Sequence, residues 1–373
     1  MVEILDTTLR EGEQTPNVTF TINEKIEIAN LLDEFGVNII EAGHPRVSED
    51  IYKGVKTIAN QGYTAEILAH CRSLQEDIDF ALSCDVDWVG IFFCISNKRI
   101  EQQFRKNIEN IITQIAETIE YAKDHGLKVR YTPEDTVRTE YKTLIKVSKA
   151  AIDAGVDRIS IADTVGAITP LKMYSFIRML KTDLNVELNV HCHNDLGMAT
   201  ANAIAAYEAG VKLIDVTVNG LGERVGITPL SEACLSLHSI YQVNNNWNFE
   251  ILTELAQKVS DFSGLNIPKN TPVIGENAFI HNAGLHVAAV LRNPEFYEVF
   301  PAELIGKKRK FVIDKMASIQ TIRQKLEEIG METCDENINM ILSHAKSKEK
   351  GSISDDELIH ILNDNKFGNI MFQ

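Results

Sequence analysis

The feature that most constrains this chain is an alternation, repeated eight times, of a short β-rich run with a helical stretch. That pattern belongs to βαβ units assembled into a parallel sheet. The runs are 2–11, 39–45, 66–72, 88–95, 128–135, 158–163, 187–194 and 213–223. Amphipathic stretches lie between them at 23–35, 107–125, 141–154 and 200–209, and Gly36, Gly126, Gly155 and Gly210 follow where a helix C-cap tolerates positive φ. Thr21-Ile22-Asn23-Glu24 has the spacing of a capping box. Eight units ending near residue 242 occupy about the length of a (β/α)8 TIM barrel. A doubly wound open sheet would carry a glycine-rich phosphate turn after its first strand. Here that strand runs into Arg10-Glu11-Gly12-Glu13-Gln14. The expected organisation is an α/β TIM-barrel catalytic domain at 1–266, a lid or linker region at 267–314 and a small helical C-terminal domain at 315–373. Ser354-Asp355-Asp356-Glu357 marks a helix start in that last part.

Charge narrows the partners. With 37 Lys and Arg against 53 Asp and Glu the net charge is −16, and such a surface repels phosphate backbones, whose binding depends on basic side chains displacing counterions. Nucleic acid is therefore not expected. No apolar run approaches the roughly 20 residues of a membrane span, and no membrane partner is expected. The six cysteines form no C-x-x-C pair, which suits reduced thiols in a cytoplasmic protein.

Barrel enzymes build their sites at the carboxyl ends of the strands. This chain places Arg10 and Glu11 at the end of the first, His44 at the second, Arg130, Thr132 and Glu134 at the fifth, Thr164 at the sixth and His191 to Asp195 at the seventh. Side chains alternate along a strand, so His191 and His193 share a face, as do Arg130, Thr132 and Glu134. Two imidazoles at i and i+2 with the Glu11 carboxylate would hold a divalent cation and leave positions open for water or substrate. Arg130 has two readings, a structural ion pair with Glu134 or Asp135 and a clamp for a substrate carboxylate. His44, His70 and Cys192 read equally as polar barrel filling. The run Lys307-Lys308-Arg309-Lys310 reads as a solvated turn, with phosphate binding of a nucleotide-containing substrate as the alternative.

Three motifs resemble the signatures of the DRE-TIM metallolyases, the acyl-CoA condensing enzymes and lyases that include isopropylmalate, citramalate and homocitrate synthases. They are Asp6-Thr7-Thr8-Leu9-Arg10-Glu11-Gly12-Glu13-Gln14, His191-Cys192-His193-Asn194-Asp195 and Asn219-Gly220-Leu221-Gly222-Glu223-Arg224. The similarity runs on through 276–286 and into the tail. Within the family, Arg130-Tyr131-Thr132-Pro133-Glu134-Asp135 and Gly226-Ile227-Thr228-Pro229-Leu230 resemble the homocitrate synthase type. The resemblance implies condensation of acetyl-CoA with a 2-oxo acid, followed by thioester hydrolysis. It implies a divalent cation (Mg, Mn, Zn or Co) held by Glu11, His191 and His193, and Arg10 beside the developing alkoxide. Gln14, Arg130, Thr132 and Thr164 would bind the oxo acid. His286 would take the acetyl proton, with Tyr297 and Glu134 completing the relay. A homodimer is also implied, the lid of one subunit reaching the barrel of its neighbour. The oxo acid stays open between 2-oxoglutarate, 2-oxoisovalerate, pyruvate and oxaloacetate. Two histidines and a carboxylate also define non-haem iron oxygenases, and a non-catalytic metabolite sensor would keep the same fold.

Overall fold

A computed structural model describes residues 2–100, 102, 107–331 and 334–370. The chain divides into two compact units, Met1–Ile267 and Pro268–Gln373.

The first unit is a closed barrel of eight parallel strands in sequence order. These are β1 (Glu3–Asp6), β2 (Ile39–Gly43), β3 (Glu66–Arg72), β4 (Trp88–Cys94), β5 (Lys128–Glu134), β6 (Arg158–Asp163), β7 (Glu187–Cys192) and β8 (Leu213–Val216). Pairing of β1 with β8, Leu5 opposite Asp215, closes the ring. Around it run α1 (Ile22–Phe35), α2 (Glu49–Ala59), α3 (Gln75–Leu82), the short α4 (Asn97–Arg99), α5 (Ile108–Asp124), α6 (Tyr141–Asp153), α7 (Pro170–Asp183), α8 (Ala199–Glu208), α9 (Leu230–Ser239) and α10 (Leu252–Ser263). The capping box is formed: Thr21 Oγ1 accepts from Glu24 N, and the Glu24 carboxylate accepts from Thr21 N at 2.7 Å. Gly36, at φ 96°, ends α1 in the left-handed conformation.

Leu5, Ile39, Leu68, Trp88 and Leu213 pack as a buried apolar cluster toward the amino ends of the strands. Each such side chain contributes roughly 1.5–3 kcal/mol on removal from water. Polar residues collect at the opposite end, where the connecting loops leave room for a site.

Six strands end before the sequence runs do, β1 and β8 by the most. β1 stops at Asp6 because Asp6 Oδ1 accepts from Thr8 N at 2.8 Å, and the Thr7 carbonyl then collects the N–H groups of Arg10 and Glu11. A side chain has offered the backbone an alternative to the ladder. β8 stops at Val216 and continues as a 3-10 turn at Val218–Gly220.

In the second unit β9 (Ile280–His281) pairs in parallel with β10 (Lys310–Phe311). The helices are α11 (Gly284–Val290), α12 (Ile319–Glu328), α13 (Asp335–Ser347) and α14 (Asp355–Ile370). Ile322, Leu326, Ile338, Ile341, Leu358 and Leu362 form its core. Glu357 N donates to Ser354 Oγ at 3.2 Å, the helix start read from the sequence. All six cysteines are free thiols, and only Cys334 is exposed. Among the described residues no helix is long and apolar enough to cross a membrane.

Candidate active site

A cavity of about 340 Å³ opens at the carboxyl ends of the strands, within the size range of small-molecule sites. Nine of the eleven residues given a site role from the sequence line it: Arg10, Glu11, Gln14, Arg130, Thr132, Glu134, Thr164, His191 and His193. Strand alternation explains part of the clustering, since Arg130, Thr132 and Glu134 share one face of β5, and His191 and His193 one face at the end of β7. His286 and Tyr297 belong to the second unit, where both are exposed and their rings lie 4.2 Å apart.

Glu11, His191 and His193 are all buried, and one ligand atom of each lies within 4.8 Å of the others. His193 lies just past β7 and is held by a bridge to Ile227. The Nδ1–H of His191 donates to Asp215 Oδ2 at 2.9 Å, which leaves Nε2 as the lone-pair nitrogen. His193 Nδ1 is buried with no hydrogen-bond partner, a cost that a ligand would remove. Burial, together with the neighbouring His191, pushes His193 down to about 3, so its ring is neutral. Burial would raise Glu11, but the adjacent Arg10 guanidinium outweighs it and holds the carboxyl below its ordinary value. Glu11 Oε1 also accepts from Glu223 N at 2.9 Å. The Gln14 amide, turned nitrogen-inward, donates to Glu11 Oε2 at 2.9 Å. One carboxylate and two imidazoles suit a divalent cation with open positions.

Beside this triad lies a cationic cluster centred on Glu41, a fully buried residue of β2. Its Oε2 accepts from Thr7 and from Arg10 Nε at 2.9 Å and Nη2 at 2.7 Å. Its Oε1 accepts from His70 Nδ1 at 2.9 Å and Arg130 Nη2 at 3.0 Å. Burial opposes ionisation of Glu41, yet Arg10, Arg130 and His70 drive its carboxyl well below the usual range. Burial and the nearby Arg10 lower His70 to about 4. Its neutral ring stacks on Phe92 at 4.6 Å and leaves Nε2 as an acceptor.

Arg130 corrects the ion-pair expectation. Its partners are Glu41 and Asp215, the latter at 3.1 Å, while Glu134 pairs with Arg99 and Asp135 with Arg138. The reason is strand geometry: Glu134 lies four residues further along β5, about 13 Å away at the usual rise. Thr164 Oγ1 accepts from Asp135 N at 2.9 Å, so its hydroxyl proton is free to donate. At the rim, Arg224 pairs with Asp195 and donates to the Thr164 carbonyl.

His44 and His70 both line the cavity, and His44 Nε2 is hydrogen-bonded to Asp77 Oδ2 at 2.8 Å. Cys192 is buried filling. Glu41 and Asp215 were not singled out in the sequence. An isolated acidic residue inside an apolar strand, as in Ile39–Gly43 and Leu213–Val216, was the available signal. The basic run is built into its turn: Lys307 Nζ donates to the carbonyl of Gly275 at 2.7 Å, and Arg309 pairs with Glu298.

Fold and site together define a metal-dependent (β/α)8-barrel enzyme. The HMGL-like family profile matches residues 1–259, and a domain described as homocitrate synthase post-HMGL domain-like matches residues 273–351. The chain belongs to the HMGL-like family, the barrel branch to which the DRE-TIM resemblance pointed. It is 50% identical over 328 residues to the homocitrate synthase of Pyrococcus abyssi, covering 88% of this chain and 90% of that one. It is 47% identical to the homocitrate synthase of Pyrococcus horikoshii, covering 93% and 95%. Among solved structures the HMG-CoA lyase of Bacillus subtilis superposes with a TM-score of 0.64 at 20% identity, over 72% of this chain and 96% of that one, a likeness of fold.

Proposed function

We propose that this chain condenses acetyl-CoA with 2-oxoglutarate and water to give homocitrate and CoA. The observation that carries the reading is one pocket holding both a buried two-histidine, one-carboxylate triad and two guanidinium groups, Arg10 and Arg130. That set suits an oxo acid with a carboxylate at each end. Near-full-length likeness to proteins named homocitrate synthase supports it.

Glu11, His191 and His193 would hold the divalent cation, which when bound supplies Lewis-acid polarisation of the oxo-acid carbonyl. Arg10, locked by Glu41 and Glu11, keeps fixed positive charge where the alkoxide develops. Thr164 donates its hydroxyl to the C1 carboxylate, with Thr132 and Gln14 on the same wall. Arg130 faces the distal carboxylate. His286 removes the acetyl methyl proton, assisted by Tyr297 and Glu134. The segment 267–314 acts as a lid over the barrel of a partner subunit in a cytoplasmic homodimer.

The test is CoA release from acetyl-CoA, with Mn or Mg, against 2-oxoglutarate, 2-oxoisovalerate, pyruvate and oxaloacetate. A strong preference for 2-oxoglutarate is expected. Preference for a monocarboxylic acid would make Arg130 structural and move the chain to the isopropylmalate or citramalate type.

A further inference from the structure

Asp215 has no part in the roles assigned above, yet it touches both halves of the site. It lies on β8, 1% exposed, and its two oxygens are used unequally. Oδ1 accepts from Asn189 Nδ2 at 2.8 Å. Oδ2 alone accepts from both His191 Nδ1 at 2.9 Å and Arg130 Nη1 at 3.1 Å. A single buried oxygen therefore stands between a cation ligand and the guanidinium on the substrate side of the cavity.

We propose that Asp215 is a positioning residue which sets the cation affinity of the site and shares that capacity with Arg130. The inference rests on the metal-dependent reading given under Proposed function. A carboxylate on Nδ1–H fixes the imidazole tautomer and ring orientation, and makes the opposite nitrogen a stronger donor. Because Arg130 draws on the same oxygen, it withholds part of that charge from His191. Asn189 keeps the carboxylate from rotating, since its amide nitrogen is also anchored to the Leu213 carbonyl at 3.1 Å. The barrel wall thus prepares His191 before any cation arrives.

The experiment is a titration of the metal-stripped protein with Mn²⁺, followed by the electron paramagnetic resonance signal of the free ion, with no oxo acid or acetyl-CoA present. Asp215→Asn is expected to raise the Mn²⁺ Kd by about 10–100-fold with unchanged circular dichroism. Arg130→Met, which leaves Oδ2 to His191, is expected to bind Mn²⁺ at least as tightly as the wild type. If Asp215→Asn does not fold, Asn189→Leu serves in its place and is expected to weaken binding in the same direction. A wild-type Kd in a folded Asp215→Asn, or in the substitute Asn189→Leu, would overturn the proposal. So would an Arg130→Met loss as large as that of Asp215→Asn, because the network would then act as one packed unit. A wild type that does not bind Mn²⁺ would instead remove the metal reading itself. Since the titration contains neither substrate, failure of the homocitrate reading in the CoA assay leaves its result untouched.

Discussion

Asp6 closes β1, fully buried, with Oδ2 unpartnered and Glu41 and Asp215 nearby. Burial pushes its carboxyl up to about 7 from an ordinary 3.8. An acid raised in the folded state gives stability that is complete below the unfolded value and is lost as pH climbs through the folded one. At pH 8 the ionised group therefore costs roughly 4 kcal/mol. Asp6→Asn is expected to raise the unfolding midpoint at pH 8 and to leave it near wild type at pH 4, read by urea denaturation at both. Equal shifts at the two pH values would remove the buried-charge account. Gly90 makes a second residue-scale case: a Cβ there would meet Arg130 Nη2 at 3.2 Å and Leu68 Cδ2 at 3.0 Å. Gly90→Ala should cost about 1–3 kcal/mol and raise the KM for 2-oxoglutarate with a smaller change in kcat. An unchanged KM would show that Arg130 does not read the substrate. At this scale the sequence marked nine cavity residues through motif and strand position. Glu41 and Asp215 escaped notice because their importance lies in three or four partners each, drawn from distant segments of the chain, which no local pattern records.

The loop after β8 shows how an element serves the site. Gly226 sits at φ 81°, and a Cβ there would fall 1.7 Å from the Gly220 carbonyl oxygen. The Gly226 carbonyl accepts from Asn194 N, and Gly226 N donates to the Glu223 carbonyl. That turn presents Glu223 N to Glu11. Gly226→Ala should destabilise by about 3 kcal/mol or more and weaken Mn²⁺ binding through Glu11. Normal Mn²⁺ affinity in this variant would detach the loop from the metal site. The eight strands were legible from periodicity, but their ends were not. Strand-forming residues continue past Asp6 (Thr7, Thr8, Leu9) and Val216 (Thr217, Val218), whereas an Asx-type hydrogen bond and a 3-10 turn divert the backbone first.

For the whole molecule, the assignment of His286 to a neighbouring barrel predicts complementation. Mixed His286→Ala and Glu11→Gln subunits, each inactive alone, should regain CoA release after exchange, because the mixed dimer rebuilds one complete site. Failure to regain activity, in a species shown by light scattering to be a mixed dimer, would place His286 in the barrel of its own subunit. By itself the sequence determined the barrel, through eight repeated units, and the triad, through H-x-H on a strand and Glu11 after the first. Those signals are local, being periodicity and spacing within single elements. Only the tertiary structure decided that Arg130 pairs with Glu41 and Asp215, and that one Asp215 oxygen serves both His191 and Arg130. Closing the ring sets β1 beside β8 and brings residues up to about two hundred positions apart onto one inner wall. There burial makes each charge depend on whichever partner the barrel's geometry supplies.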